Sequence, residues 1–478
     1  MTTPSSISNS NQQQNLLDLF QHQRRAYLSD PMPSAEQRID LLRQLKGALL
    51  SYCERLCDAL DVDYAGRSRQ DTLISDILPC VMNIRYSCRK LKKWMRPERR
   101  HAGLLLAPAK IRVHYQPLGV VGIVVPWNFP IILSVGPLIS VLAAGNRAMI
   151  KLSEFTPNTN RVIIEMLASV FAPEQVACVE GEAELAAEFT SLPFDHLLFT
   201  GSTTVGRHVM RAAADNLTPV TLELGGKSPA IVGPDVDIDN AVERMSFGKC
   251  LNAGQICVAP DYVLVPREKV DTFATSYQQR FAAMYPNGVN STDYTSVINP
   301  RQYERLQSWL EDAKSKGARV IPCVEGQHQD DSRQRLTTHL LLDTTDEMMV
   351  MQNEIFGPLL PVVPYDSIDD AMAYIRQRPR PLALYLLSYD EPLQQKIIDQ
   401  SHSGGMCIND TVMHVAADDA PFGGIGPSGM GHYHGVEGFK TFSKAKTVLT
   451  QGKFCPSTLM HPPYGKWLQQ LIFKMFLR

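Results

Sequence analysis

Residues 196–228 read HLLFTGSTTVGRHVMRAAADNLTPVTLELGGKS. The stretch opens on an apolar run at 196–199, turns at a Gly-Ser-Thr-Thr-Val-Gly segment, and continues with a helical pattern over 205–214. A short branched run follows at 219–222, so the segment predicts a strand, a helix and a strand. A helix between two strands returns the chain to the same end of the sheet and makes the strands parallel. The same alternation extends outward. Toward the N-terminus, strands are predicted at 111–115, 119–125, 148–151 and 176–179, with a helix at 158–170. Toward the C-terminus, strands are predicted at 230–232, 262–265, 360–363, 383–387 and 406–408, with helices at 238–250, 267–283, 301–316 and 368–376. Residues 13–98 carry apolar positions at spacings of three and four and read as helices. The fold class is therefore α/β, with two parallel-sheet domains and a seam near 224–228.

The bulk properties exclude several function classes. The chain has 478 residues, enough for two or three domains. Its formal net charge is −2, so no basic excess draws it to nucleic acid. Ten cysteines contain no C-x-x-C pair, which argues against zinc ribbons and thioredoxin-type motifs. They read as reduced thiols of a cytoplasmic protein. The N-terminal MTTPSSISNSNQQQN lacks the charged-then-apolar order of a signal peptide and is expected to be a floppy polar tail. No apolar run reaches about 18 residues, the length that marks a membrane-spanning helix. Residues 464–478 place Trp467, Leu468, Leu471, Ile472, Met475 and Phe476 at helical spacing beside Lys466, Lys474 and Arg478. This short amphipathic helix is expected to dock on its own protein or on a partner subunit rather than on a membrane.

Some motifs mislead. Residues 424–429 fit G-x-G-x-x-G, but no strand precedes them and Pro427 interrupts the would-be helix, so they read as a glycine-rich loop. Gly226-Lys227-Ser228 ends like a phosphate-binding loop but lacks its first glycine. His432 and His434 have no ligand partner at metal spacing, and no metal site is expected.

Others belong together. Glu223 stands at a strand end before the Gly225-Gly226 pair. Cys257 follows a Gly-Gln turn, where a thiol is more easily exposed than in mid-strand. Asn128 lies in P-W-N-F-P (126–130) after a strand and offers an amide donor to a developing oxyanion. The turn at 201–206 suits a pyrophosphate at a helix N-terminus. Lys151 and Glu154 end a strand with a cation and an acid, and the acid could hold ribose hydroxyls.

With E-I-F-G-P at 354–358 and the glycine loop at 421–431, these motifs resemble the aldehyde dehydrogenase superfamily over residues 118–448. The short N-terminal part and L-T-P-V-T-L-E at 217–223 resemble its class 3 branch, and within that branch the bacterial coniferyl aldehyde dehydrogenases. The resemblance implies a cofactor domain over 1–223, with 100–118 joining a bridging flap. It implies a catalytic domain over 224–414, and over 415–478 a β-flap oligomerisation segment with the C-terminal helix, which in some relatives covers the substrate tunnel. A homodimer is expected.

The resemblance also assigns roles. Cys257 is the nucleophile, Asn128 an oxyanion donor and Glu223 the base that activates water against a thioester. Trp127, Lys151, Glu154, Gly201, Ser202, Gly206, Leu224, Glu354 and Phe356 are cofactor contacts. Glu154 would repel a 2′-phosphate and favours NAD, while Lys151 leaves NADP open. The expected activity is NAD(P)-dependent oxidation of a small-molecule aldehyde to its acid, with coniferyl aldehyde to ferulate as one case. The rivals are a medium- or long-chain aliphatic aldehyde dehydrogenase, a CoA-acylating enzyme, and an inactive binding protein that kept the fold.

Overall fold

The computed structural model describes residues 4–103 and 106–477. A six-stranded sheet runs in the order Gly429–Met430, Val220–Leu224, His196–Gly201, Val120–Val124, Arg147–Lys151, Val176–Val179. All its pairs are parallel except the first, where Gly429 lies opposite Glu223. A seven-stranded sheet runs in the order Arg319–Pro322, His339–Leu342, Leu359–Tyr365, Tyr262–Pro266, Pro229–Val232, Ala383–Leu387, Gly405–Ile408. Only its first pair is antiparallel. Residues 225–228 carry the chain from one sheet to the other. The two-sheet α/β reading is therefore the observed architecture.

A third sheet has three antiparallel strands in the order Glu98–Arg100, Lys110–Pro117, Ser443–Thr450. It joins chain segments from the two ends of the molecule. Asn146 fixes the junction. Its Oδ1 accepts from Leu118 N–H at 2.6 Å and Gly119 N–H at 2.9 Å, and its Nδ2 donates to Phe442 O at 2.8 Å.

Central strands buried on both faces read as continuous apolar runs, and these were the ones sequence pattern could find. The helix Ile132–Ala144 escaped notice because 11 of its 13 residues are buried, leaving no periodicity to read. It ends on Gly145 at φ 92°, and the buried Arg38 donates to the carbonyls of Ala143 and Ala144 at 3.1 and 2.7 Å. The N-terminal tail is corrected: a helix runs from Pro4 to Ser29. Proline suits the first helical turn, and no helix breaker follows it. Leu16, Phe20 and Gln23 bury its later turns, and Gln23 donates to Ala148 O and Pro173 O at 2.9 and 2.8 Å. Residues 1–3 of that tail lie outside the described residues. The C-terminal helix is present as Trp467–Phe476. No helix among the described residues is long and apolar enough to cross a membrane.

A buried ion pair helps carry the helical N-terminal region to the centre of the molecule. Arg67 and Asp76, both fully buried, meet at 2.9 Å. Burial pushes the Asp76 carboxyl up to about 6, and Arg67 opposes the shift. Asp76 also accepts from Ile132 N–H at 2.9 Å, and Arg67 donates to Asn128 O at 2.7 Å. Removing one partner strands the other charge in a dry interior. Arg67→Met is expected to cost about 3–5 kcal/mol, seen as a lower denaturant midpoint with an unchanged slope.

Candidate active site

The helix Ile238–Cys250 starts on Asp237, whose side chain accepts from Asn240 N–H. After it, Asn252, Ala253 and Gly254 take left-handed conformations at φ 51°, 52° and 74°. Such backbone costs roughly 1–3 kcal/mol per non-glycine residue and persists only when its neighbours hold it. Asn252 is held on both sides. Its N–H donates to Asp71 Oδ2 at 3.0 Å, and its Nδ2 donates to Asn128 O at 3.1 Å and Gln255 O at 3.3 Å. Gln255, fully buried, donates to Asn252 O and Ser296 O and accepts from Ile298 N–H. Gly254 is required by more than its φ: a Cβ there would lie 2.6 Å from Gly357 O. This turn presents Cys257 half-buried, packed like Trp127 against the main hydrophobic core.

Asn128 meets the same turn. It follows the strand Val120–Val124, is buried, and its Nδ2 donates to Gln255 O at 3.1 Å. An amide nitrogen carries two hydrogens. One is committed to Gln255, which fixes the plane of the amide, and the second is available to a reacting oxygen. Glu223 is buried, and neither carboxylate oxygen has a hydrogen-bond partner among the described residues. Burial raises its carboxyl well above the ordinary range. The Cys257 thiol is pushed up to about 12, first by the protein packed around it, then by Glu354, then by Glu223. The three groups therefore share one electrostatic environment.

Gly201, Ser202, Lys151, Glu154 and Leu224 lie at or just beyond the carboxyl ends of parallel strands, where open α/β sheets bind ligands, whereas Phe356 precedes the strand Leu359–Tyr365. Gly201 ends the strand His196–Gly201 opposite Leu224. Ser202 caps the helix Thr203–Ala214, accepting from Val205 N–H at 3.4 Å. Gly206 lets that helix approach the next strand, because a Cβ would lie 2.7 Å from Leu224 Cδ2. Lys151 and Glu154 form an ion pair at 2.9 Å at the end of the strand Arg147–Lys151. Phe356, at φ 47°, sets its ring edge-on to Trp127 with centroids 5.2 Å apart.

Glu354 faces Gly225, where a Cβ would collide with its carboxylate. Its Oε1 is buried without a partner, as is Thr200 Oγ1. Burial, then Asp261, pushes the Glu354 carboxyl up to about 8. A helix N-terminus, an acid just beyond a strand end and a buried acceptor without a partner among the described residues fit a dinucleotide cofactor.

A clamp holds the segment bearing Glu354 and Phe356. Asp261 Oδ1 accepts from Ile355 N–H at 2.7 Å. Lys227 pairs with Asp261 Oδ2 and donates to Val350 O at 2.7 Å and Asn353 O at 2.9 Å. Arg305 donates to Ile355 O at 2.9 Å.

Comparison with known proteins fits this geometry. The family model for the aldehyde dehydrogenase family matches residues 15–448. The chain belongs to the aldehyde dehydrogenase family. It is 54% identical to a probable coniferyl aldehyde dehydrogenase of Pseudomonas aeruginosa, covering 99% of this chain and 98% of that one. It is 45% identical to a coniferyl aldehyde dehydrogenase of a Pseudomonas species, covering 94% of each. Class 3 relatives also match, among them the mouse aldehyde dehydrogenase family 3 member A2 at 40% identity over 76% of this chain and 75% of that one. Among solved structures, the substrate-bound state of Staphylococcus aureus AldH superposes with a TM-score of 0.91 at 37% identity, covering 96% and 99% of the two chains. A Mycobacterium tuberculosis aldehyde dehydrogenase complexed with NAD+ superposes with a TM-score of 0.82 at 29% identity, covering 91% and 90%. The enzyme is an oxidoreductase that oxidises an aldehyde with a nicotinamide cofactor.

Sequence reading missed the supports of this site. Asp261 stands four residues after Cys257 at the start of a strand, where a buried acid is unusual. That was its one visible signal. Arg305 lies in the helix Pro300–Ser315 and looked like ordinary surface charge. Asp261→Asn weakens the bond to Ile355 and leaves Lys227 unpaired. It is expected to raise the KM for cofactor about tenfold, as fits a charge-assisted hydrogen bond of roughly 1.5–3 kcal/mol, with a smaller change in kcat. Steady-state kinetics with varied cofactor measures both.

Proposed function

We propose that the enzyme oxidises an aromatic enal of the coniferyl aldehyde type to its acid, ferulate in that case, with NAD as the preferred acceptor. The supporting observation is whole-length similarity to a probable coniferyl aldehyde dehydrogenase at 54% identity. An aromatic ring beside the thiol turn agrees with it: Tyr385 Oη donates to Val258 O, the residue after Cys257.

Cys257 Sγ adds to the aldehyde carbon as its proton passes to a base in the site, giving a hemithioacetal. The free Asn128 Nδ2–H and the Cys257 backbone N–H hold the oxyanion. When bound, the nicotinamide supplies the hydride acceptor for collapse to a thioester on Cys257. Glu223, ionised, takes a proton from water, which attacks the thioester carbonyl. The acid departs and Sγ recovers its proton. Trp127 and Phe356 would border the nicotinamide, Glu354 would hold the adjacent ribose, and Gly201, Ser202, Gly206 and Leu224 would border the phosphates. Lys151 and Glu154 would meet the adenosine ribose, where the Glu154 carboxylate would disfavour a 2′-phosphate.

The segments 1–223, 224–414 and 415–478 act as cofactor domain, catalytic domain and bridging segment. The open edges of the three-stranded flap join two copies in a cytoplasmic homodimer, and light scattering at the mass of two chains tests this.

Cys257→Ala should lose NADH formation while still binding cofactor, and full turnover would refute the nucleophile. Glu223→Gln should lower turnover by about 10²–10⁴. Because Glu223 acts ionised and burial raises its carboxyl, turnover should climb with pH beyond the ordinary carboxylate range. CoA should leave the rate unchanged. A higher kcat/KM for hexanal than for coniferyl aldehyde would move the substrate class to aliphatic aldehydes.

A further inference from the structure

The loop that follows the edge strand Gly405–Ile408 carries an imidazole that the reaction described above does not use. His414 lies in the short turn Met413–Ala416. Both its ring nitrogens are buried, and neither has a hydrogen-bond partner among the described residues. Burial pushes the ring down to about 4. At neutral pH it is therefore uncharged and presents one N–H donor and one bare acceptor. Buried polar groups in native proteins are almost always paired, so an imidazole unpaired at both nitrogens calls for a partner. The backbone is bent to place this ring. Val412, two residues before it, stands at φ 59°, a region that β-branched side chains avoid. Thr411 holds the bend, its Oγ1 donating to Arg244 O at 3.0 Å and its carbonyl accepting from Met413 N–H at 2.7 Å. Gly405 leaves the room, because a Cβ there would lie 2.9 Å from His414 Cδ2.

Two contacts tie the position to the reaction centre. The Tyr385 ring lies 5.9 Å from the imidazole, centroid to centroid, and its hydroxyl donates to Val258 O beside Cys257. The Phe422 ring lies 6.1 Å from the imidazole. The next residue, Gly423, backs Glu223, because a Cβ there would lie 3.2 Å from Glu223 Oε1. The length of a tyrosine side chain therefore separates His414 from the turn that bears the thiol. In a 4-hydroxylated aromatic enal, a vinyl link and a ring likewise separate the aldehyde carbon from the phenol oxygen. We propose that His414 reads the phenolic hydroxyl of the substrate, accepting its O–H at a ring nitrogen, and so selects 4-hydroxylated aromatic enals over unsubstituted ones. The inference rests on the aromatic-enal reading above and deepens it. A substrate that supplies the missing partner gains what an analogue without the hydroxyl cannot.

4-Hydroxycinnamaldehyde and cinnamaldehyde differ by that hydroxyl alone. The full-length enzyme should favour the first by about tenfold or more in kcat/KM. His414→Phe should bring the two values together, chiefly by raising the KM for the hydroxylated aldehyde. His414→Gln, which keeps a donor and an acceptor, should retain most of the preference. Equal kcat/KM for the two aldehydes in the unaltered enzyme overturns the proposal, and that result needs no variant to fold. So does a preference that survives His414→Phe. Hexanal outrunning both aldehydes would overturn the aromatic-enal reading, while a hydroxyl preference that His414→Phe removes would still support the role of His414.

Discussion

The main-chain oxygen of Asn128 is the point on which the catalytic half of the structure depends. It accepts from Tyr64 Oη at 3.1 Å, Arg67 Nη1 at 2.7 Å and Asn252 Nδ2 at 3.1 Å. Those donors come from the N-terminal helical region and from the cysteine turn. One carbonyl thus aligns the loop that bears Asn128 with the turn that bears Cys257. Arg67 can serve because Asp76 neutralises it, and its guanidinium lies between the rings of Tyr64 and Phe129. The helices before residue 100 are structural parts of the reaction centre although none of them supplies a reacting group. Precise placement matters because misplacement by about an ångström can cost two orders of magnitude in rate.

The electrostatics of the thiol set a second constraint. Cys257 has two acids for neighbours and a titration range displaced upward. Glu223 and Glu354 are displaced upward too. Burial disfavours the charged form of each of the three. Among the described residues, no hydrogen-bond donor meets the Glu223 carboxylate.

Much of this was readable from residues. The parallel strands were visible because strands buried on both faces become short apolar blocks, as at Ala383–Leu387 and Tyr262–Pro266. Cys257, Glu223 and Asn128 stood out because glycine turns and strand ends announce positions that face open space. The supports were silent. Arg67, Asp76 and Asp261 are charged residues in the interior, and sequence pattern assigns charge to the surface unless the partner is known. Arg67 and Asp76 are nine positions apart, and Asp261 grips a segment more than ninety residues away. Such pairings exist only in three dimensions. The left-handed run at Asn252 and Ala253 was equally hidden, because it is imposed by Asp71 and Asn128 and not preferred locally.

The strand Gly429–Met430, which lies antiparallel against Val220–Leu224, has a consequence for how the molecule comes into being. On a ribosome the strand bearing Glu223 emerges long before its partner. Until the glycine loop is made, that edge offers unpaired amides to any other chain. The flap strand Lys110–Pro117 waits longer still, for Ser443–Thr450. The N-terminal half therefore cannot complete its sheets during synthesis. The segments Gly429–Met430 and Ser443–Thr450 act as a closing seam, and a nascent chain is open to misassociation until they emerge.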